Sequence, residues 1–189
     1  MLRQVEGPNL LKIIKLYEGE NNIYCLGDLY SGGTLYQYMK EHGKPTEIHS
    51  IMIIKQILLA LSYLESKNLI HRDLKPENII FGDKSLQSVY LVDFGFMTRE
   101  TEFNKLFTRC GTPGYVAPEV LEDKEYDTKI DVYSAGLVFY LLISKTNPFN
   151  HKSNSKLIQK NKTGLVDFSI FDDLVLEKKQ KSRSLLHSS

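Results

Sequence analysis

The side chains best suited to chemistry are concentrated in His71–Asn78, which reads HRDLKPEN. This segment combines cations, carboxylates and a carboxamide, and the apolar residues Ile79–Phe81 follow at once. A hydrophobic turn would not carry so many charges, and a solvated loop is rarely followed by a buried strand. Each polar side chain taken singly would be assigned to the solvated surface. The combination instead indicates a polar loop that performs chemistry at the edge of a core.

Two tripeptides follow this segment in order. Asp93-Phe94-Gly95 begins twenty residues after Asp73, and Ala117-Pro118-Glu119 comes later. His-Arg-Asp with Asn four residues further on is the pattern of the protein-kinase catalytic loop. One tripeptide would be weak evidence, but three in the right order and at workable spacings leave little room for chance. On these motifs the chain resembles eukaryotic serine/threonine protein kinases.

The resemblance implies a role for each polar residue of the loop. Asp73 would accept or orient the proton of an attacking hydroxyl, and Lys75 would reach the oxygens of the phosphoryl group in transfer. Asn78 and Asp93 would hold the Mg²⁺ ions that bridge the phosphates of ATP. Lysine at position 75, together with the run Gly111–Tyr115, favours serine/threonine kinases over tyrosine kinases. The implied reaction is transfer of the γ-phosphate of ATP to Ser or Thr of a protein substrate.

The resemblance places the remainder of the ATP site in the hinge, Gly27–Ser31. The backbone of Asp28 and Tyr30 would meet the adenine edge, and Ile80 is assigned to the same nucleotide site. Gly27 departs from the family, which carries a larger side chain next to the adenine.

The span Phe94–Glu119 has the composition of a long loop, and long loops in compact domains are usually functional. In the resemblance it is the activation segment, with Thr108, Thr112 and Arg72 as its regulatory residues. Thr108 is a candidate phosphorylation site for an upstream activating kinase, and a phosphate there could pair with Arg72 or Arg99. An exposed loop threonine without such a role is the alternative for Thr108.

Three other residues carry family roles that concern packing. His71 and Phe94 resemble residues that stack with two side chains of the small lobe, for which Leu2 and Ile13 are in position. Asp131 resembles the carboxylate that caps the backbone of the catalytic loop. A simple carboxylate at a helix N-terminus, favoured by the helix dipole, explains Asp131 equally well.

The elements that position these residues can be read in order along the chain. Leu10–Tyr17 and Ile23–Leu26 predict a β-hairpin, and a short helix is predicted around Leu35–Glu41. Thr46 is a good N-cap for a long helix that runs to about Lys67. The apolar residues of this long helix that recur at helical spacing predict its buried face: Ile51, Ile54, Leu58 and Leu61.

The second half of the chain predicts two strands and two helices. Ile79–Phe81 and Val89–Val92 are β-rich, and would place Asn78 and Asp93 at neighbouring strand ends. Asp127–Ser144 is apolar almost all round and predicts a buried helix that ends before Asn147-Pro148. Ser153–Lys160 predicts a further helix.

The fold class that follows is α+β, a protein-kinase-like fold with a mainly helical large lobe and a remnant of the small β lobe. Residues 1–176 are assigned to a partial kinase domain, in which 1–30 are the small-lobe remnant with the hinge and 31–176 the large lobe. Residues 177–189 form a polar, basic tail that is predicted to be disordered.

Composition limits the class of protein further. The chain has 189 residues, enough for one domain, and its 24 Lys and Arg nearly balance its 23 Asp and Glu. We therefore expect neither nucleic acid nor a membrane as a partner. Cys25 and Cys110 cannot build a disulfide framework and favour a reducing compartment. The start of the chain does not read as a signal peptide, and the longest apolar run, Ala135–Ile143, is too short for a membrane span. The expected location is cytoplasmic.

The resemblance is incomplete within these 189 residues. They contain no G-x-G-x-x-G phosphate loop and lack the small-lobe lysine that grips the α- and β-phosphates. The helices that usually follow the position of Phe149, with the arginine that pairs with Glu119, are lost or unrecognisable. We therefore expect the 189 residues alone to bind ATP weakly and to turn over negligibly. An in-frame phosphate loop and a lysine encoded upstream of Met1 would show that the 189 residues are part of a longer kinase.

Two functional classes, and a blander alternative, remain open on this evidence. The chain is either the catalytic lobe of a kinase or a non-catalytic, kinase-like binding or scaffold module, and an untranslated fragment is the third possibility. Intact Asp73, Lys75, Asn78 and Asp93 favour the enzyme. The sequence is most similar to the calcium/calmodulin-dependent and related kinases. Glu77 hints at basic peptide substrates.

Overall fold

The computed structural model describes residues 5–101, 109–169 and 171–172. In these ranges the chain is mostly helical and carries three two-stranded antiparallel sheets, which pair β1 with β2, β3 with β6 and β4 with β5. The strands are β1 (Ile13–Glu18), β2 (Ile23–Gly27), β3 (Leu69–Ile70), β4 (Ile79–Phe81), β5 (Val89–Leu91) and β6 (Thr98–Arg99). The helices are α1 (Leu35–His42), α2 (Glu47–Ser66), α3 (Pro118–Leu121), α4 (Lys129–Ser144) and α5 (Asn154–Thr163), and a 3₁₀ turn spans Pro76–Asn78.

The predicted β-hairpin is confirmed as β1 and β2, but its first strand starts later than expected. β1 begins at Ile13 because the backbone of the two preceding leucines pairs elsewhere. Leu10 forms a parallel bridge with Leu91, and the Leu11 amide donates to the Leu91 carbonyl over 2.9 Å. The chain therefore pairs with β5 before it forms the hairpin.

Both early helices begin where side-chain capping predicts. Thr34 and Gln37 form a capping box at the start of α1. The Thr46 hydroxyl accepts the His49 amide at 3.2 Å and caps α2, which confirms the predicted start of the long helix.

The predicted buried face of α2 is partly wrong. Ile51 and Leu58 are 50% and 43% exposed, although Leu61 is buried as expected. The buried face consists of Ile53, Ile57, Ala60, Leu61 and Leu64. Apolar residues occur around most of this helix, so their spacing is compatible with more than one face. The neighbouring elements α4 and β5, which pack against α2, select the face that is buried.

Among the residues that the structure describes, α2 is the one helix long and apolar enough to cross a membrane, judged by length and composition. Polar residues such as Lys55 interrupt the apolar sequence of α2, so this helix does not stand out as an unbroken apolar run. Its buried residues belong to the main hydrophobic core, which is also how the central helix of a water-soluble domain behaves.

The predicted buried helix is confirmed as α4, which starts two residues later than expected. Asp127 precedes the helix and accepts the Lys129 amide with its carboxylate over 2.8 Å. The helix ends at Ser144 because Lys145 adopts a left-handed conformation, with φ of 70°. The further helix, α5, is also confirmed and extends to Thr163, where Gly164 terminates it in the same way.

The assignment of the buried face of α2 can be tested with two matched substitutions. Leu64→Ala should lower the free energy of unfolding by roughly 2–5 kcal/mol, because Leu64 is 1% exposed and its truncation leaves a cavity. Leu58→Ala, on the exposed side of the same helix, should cost well under half of that. Urea denaturation followed by circular dichroism measures both, and equal losses would contradict the assignment.

Candidate active site

The catalytic loop, His71–Asn78, is held in place by a carboxylate from α4. Asp131 accepts the His71 amide on Oδ2 at 2.7 Å and the Arg72 amide on Oδ1 at 2.9 Å. These two bonds confirm the predicted cap, and Asp131 also lies in the first turn of α4, where the helix dipole favours a carboxylate. Arg72 has a φ of 71°, a left-handed conformation that a non-glycine residue adopts only where its surroundings enforce it.

Asp131 is a buried charge in an apolar helix, with 3% of its surface exposed. Burial raises the pKa of Asp131, while the nearby His71 and the two backbone amides favour the ionised carboxylate. A buried carboxylate is tolerated when donors satisfy its oxygens. Each oxygen here receives a backbone N–H, so displacement of the loop would leave the carboxylate unsatisfied.

His71 is fully buried and connects the loop to the segment after β5. The Asp73 amide donates to His71 Nδ1 over 3.3 Å, which makes that nitrogen an acceptor. The other ring nitrogen, Nε2, lies 3.0 Å from the Val92 carbonyl oxygen, which can only accept, so Nε2 is the donor in this contact. The Phe94 ring meets the His71 ring edge to face at 5.7 Å. Of the two expected small-lobe partners, Ile13 packs against the core that contains Phe94, and Leu2 lies outside the described residues.

Asp73 is the centre of a buried hydrogen-bond network. Lys75 Nζ lies 2.8 Å from Oδ2, and the Thr112 hydroxyl donates to Oδ1 at 2.7 Å. Asn78 Nδ2 donates both to Oδ2 at 3.1 Å and to the Asp73 carbonyl at 2.8 Å. The structure thus brings together Asp73, Lys75, Asn78 and Thr112, four of the residues that the sequence marked for the site.

The network keeps Asp73 ionised. Burial by itself raises the pKa of Asp73, but hydrogen bonds from Lys75 and Thr112 and the positive charge of Lys75 bring it below its usual value. The carboxylate can therefore accept a hydrogen bond from an approaching hydroxyl throughout the physiological pH range.

The contact of Thr112 with Asp73 was not predicted, since the sequence placed Thr112 in the activation segment without a partner. Lys75 Nζ also donates to the Thr112 hydroxyl, at 2.8 Å, so the two side chains form one unit. Gly111 explains the close approach. Its φ is 93°, and a Cβ there would come within 2.6 Å of the Arg72 carbonyl oxygen.

Asn78 and Asp93 lie at the same end of the β4–β5 sheet, as the sequence predicted. Ile79 pairs with Leu91 across the sheet, and the Val92 amide donates to the Asn78 carbonyl at 2.9 Å. Asp93 follows directly in a left-handed conformation, with φ of 63°.

These two side chains offer oxygen atoms suited to Mg²⁺. Asn78 uses its amide nitrogen for Asp73, which leaves its amide oxygen for a cation. Asp93 is exposed and accepts the Gly95 amide on Oδ1 at 3.2 Å. Within the described ranges there is no cluster of three or more His, Cys, Asp or Glu residues that could hold a metal by itself. Two oxygen ligands suffice where substrate phosphates and water complete the shell of Mg²⁺.

The hinge residues lie apart from this network. Asp28 and Tyr30 line a cleft together with residues 6–12 and Tyr90. The Asp28 amide donates to the Lys12 carbonyl at 3.2 Å, and the Tyr30 ring stacks on Tyr90 at 4.2 Å. Ile80 pairs with Tyr90 between β4 and β5. At Gly27, a Cβ would come within 2.8 Å of the Lys12 carbonyl oxygen, which gives this glycine a structural reason.

Arg72 reaches the activation segment with its side chain. Its Nε donates to the Phe96 carbonyl at 2.6 Å, and Nη1 donates to the Tyr126 hydroxyl at 3.0 Å. Thr108, the candidate phosphorylation site, lies outside the described residues. Tyr126 was not anticipated, because its contact with Arg72 spans 54 positions of sequence and has no local signal.

A loop capped from a buried helix, with a buried aspartate at its centre and the side-chain oxygens of Asn78 and Asp93 at one end of the β4–β5 sheet, is the arrangement expected of a protein kinase. The family model described as protein kinase domain matches residues 1–187. The chain belongs to the protein kinase family, and the predicted kinase-like fold is confirmed.

Two relatives illustrate the similarity. Calcium-dependent protein kinase 5 of Plasmodium berghei (strain Anka) is 38% identical over 183 residues, which cover 95% of this chain and 32% of the relative. Calcium-dependent protein kinase 3 of Plasmodium yoelii yoelii is 36% identical over 170 residues, or 89% of this chain and 31% of the relative. The chain spans about a third of the length of the curated relatives it matches.

The ionisation of Asp73 can be tested by NMR titration of its carboxyl carbon. We expect a pKa below the usual value of about 3.9, and a higher value in Thr112→Val, which removes one donor without changing the shape. Thr146→Val, at an exposed position after α4, should leave it unchanged. Because the folded pKa is lower than the unfolded one, this carboxylate stabilises the fold above about pH 4 and ceases to do so as pH falls through the folded pKa. An unshifted pKa in the wild type would contradict the network.

Proposed function

We propose that this protein is a serine/threonine kinase, which transfers the γ-phosphate of ATP to hydroxyl groups of protein substrates. The observation that supports this most strongly is the environment of Asp73. A buried carboxylate is held ionised by Lys75 and Thr112, and its loop is fixed by Asp131. A module that only bound a partner would not need this arrangement.

In the proposed reaction, Asp73 orients the Ser or Thr hydroxyl of the substrate towards the γ-phosphorus. The hydroxyl oxygen forms the new P–O bond, the bond to the bridging oxygen of ADP breaks, and the hydroxyl proton passes to the Asp73 carboxylate. A depressed pKa makes Asp73 a weak base, which suits a loose transition state in which proton transfer comes late. Lys75 supplies positive charge beside the transferred group.

Asn78 and Asp93 would hold Mg²⁺, which neutralises the charge of the ATP phosphates when it is bound. The hinge backbone at Asp28 and Tyr30, with Ile80, is the proposed adenine site. Phosphorylation of Thr108 by an upstream kinase remains part of the proposal, with Arg72, within the catalytic loop, or Arg99 as the cation that could pair with the phosphate.

The proposal is tested with the protein in the length in which it occurs in the cell, a serine/threonine peptide array and Mg-ATP. Asp73→Asn should reduce kcat by a factor on the order of 10²–10⁴, because it removes the proton acceptor, and should leave the KM for ATP nearly unchanged. Asp83→Asn, at an exposed turn, is the matched control and should have wild-type turnover. Equal transfer by wild type and Asp73→Asn would reject the proposed role of Asp73. No transfer by the wild type would favour the binding or scaffold module.

The metal ligands are tested separately by calorimetric titration of the same protein with ATP in the presence of Mg²⁺. Asp93→Ala should abolish Mg²⁺-dependent binding, and Asn78→Ala should weaken it less, since a carboxylate is the stronger ligand. Binding that is indifferent to both substitutions and to chelation of Mg²⁺ would show that these residues serve structure only.

A further inference from the structure

The backbone of Gly114–Val116, in the activation segment, is bound by side chains from three distant parts of the chain. Asn161 Oδ1 accepts the Gly114 amide at 2.8 Å, and Asn147 Nδ2 donates to the Gly114 carbonyl at 2.8 Å. The Ser134 hydroxyl donates to the Tyr115 carbonyl at 2.7 Å. We call Gly111–Val116 the shelf. It lies beside Asp73, to which the Thr112 hydroxyl donates a hydrogen bond.

Asn161 binds the backbone of the shelf at two residues with one amide group. Its Nδ2 donates to the Val116 carbonyl at 2.7 Å while its Oδ1 receives the Gly114 amide. A backbone N–H requires an acceptor and a carbonyl requires a donor, so the orientation of the amide is determined by its partners. The two bonds therefore fix the distance between the two ends of this short segment.

The burial of Asn161 is unusual for its helix. It is 0% exposed and is the one buried residue of α5 in the part of the chain that the structure describes. A buried amide is tolerated only where both of its polar ends are bonded. The one buried side chain of α5 thus forms a polar clamp on the shelf, which indicates a positioning role.

The clamp is connected to the catalytic carboxylate within a few bonds. The Tyr115 amide donates to the Thr112 carbonyl at 3.0 Å, and the Thr112 hydroxyl donates to Asp73 at 2.7 Å. A substrate hydroxyl that reaches Asp73 must therefore lie next to Thr112. Residues next to it in the substrate would then lie against the shelf.

We propose that Asn161 is a positioning residue that holds the shelf in the geometry required for docking of the substrate peptide. This inference rests on the proposed kinase function for its effect on turnover, but the clamp itself can be measured without activity. The substrate class is an extended Ser/Thr peptide, which contacts the shelf with the residues next to the phosphorylated one.

The first test is hydrogen exchange of the Gly114 amide, followed by NMR in the 189-residue chain. Asn161→Leu, which has a similar volume and no polar group, should accelerate exchange at Gly114 by roughly tenfold or more, the effect of losing one buried hydrogen bond. Asn154→Leu replaces an exposed asparagine of the same helix and should leave exchange unchanged. Unchanged exchange in Asn161→Leu would overturn the clamp.

The second test is peptide phosphorylation by the protein in its cellular length. Asn161→Leu should raise the KM for peptide roughly tenfold while the KM for ATP stays the same. Asn161→Asp keeps the acceptor for Gly114 and loses the donor to Val116, so its KM for peptide should fall between those of the wild type and Asn161→Leu. If Asn161→Leu does not fold, the KM of Asn161→Asp tests the positioning role. Active wild type with an unchanged peptide KM in both variants would overturn the inference. An inactive wild type would instead reject the proposed function, and Gly114 exchange would still report on the clamp.

Discussion

The geometry of the whole site depends on the pair of hydrogen bonds between the Asp131 carboxylate and the backbone of the catalytic loop. A carboxylate buried in an apolar helix has no water to stabilise its charge, so the two loop amides are its main compensation. The loop in turn has a left-handed backbone at Arg72, with φ of 71°, and the Arg72 amide is one of the two that bind the carboxylate. The helix and the loop therefore constrain each other, and α4 determines the position of the catalytic loop.

Asp73 is a second buried carboxylate whose charge is compensated by hydrogen-bond donors. Asp73 is nearly as buried as Asp131, but its donors are side chains that come from the loop itself and from the activation segment. This difference in donors suits the role proposed for Asp73 in orienting the substrate hydroxyl. Side-chain donors such as Lys75 can turn towards a phosphate or a substrate, whereas the backbone amides at Asp131 stay in place.

The described part of the activation segment is attached to this centre by polar contacts in addition to the apolar packing of residues such as Val116. Thr112 binds Asp73, Gly111 approaches the Arg72 carbonyl, and Asn161 closes the far end of the shelf. Directional bonds of this kind define one backbone geometry where apolar contacts would permit several. The position of α5 is consequently coupled to the catalytic carboxylate through a short stretch of backbone.

Local signals in the sequence determined the site residues and most element starts. The catalytic loop, β4 and β5 follow one another so closely in sequence that their order alone places Asn78 and Asp93 at one end of the β4–β5 sheet. Capping is equally local, which is why the start of α2 could be predicted from Thr46.

Only the tertiary structure decided which apolar face of α2 is buried, because that helix is apolar on several sides and its neighbours make the choice. The same holds for the clamp by Asn161 and for the bond between Thr112 and Asp73. Their partners lie 47 and 39 positions away along the chain. A lone asparagine or threonine has no periodicity that would reveal such a partner, since hydrogen bonds between distant segments leave no repeating pattern in the sequence.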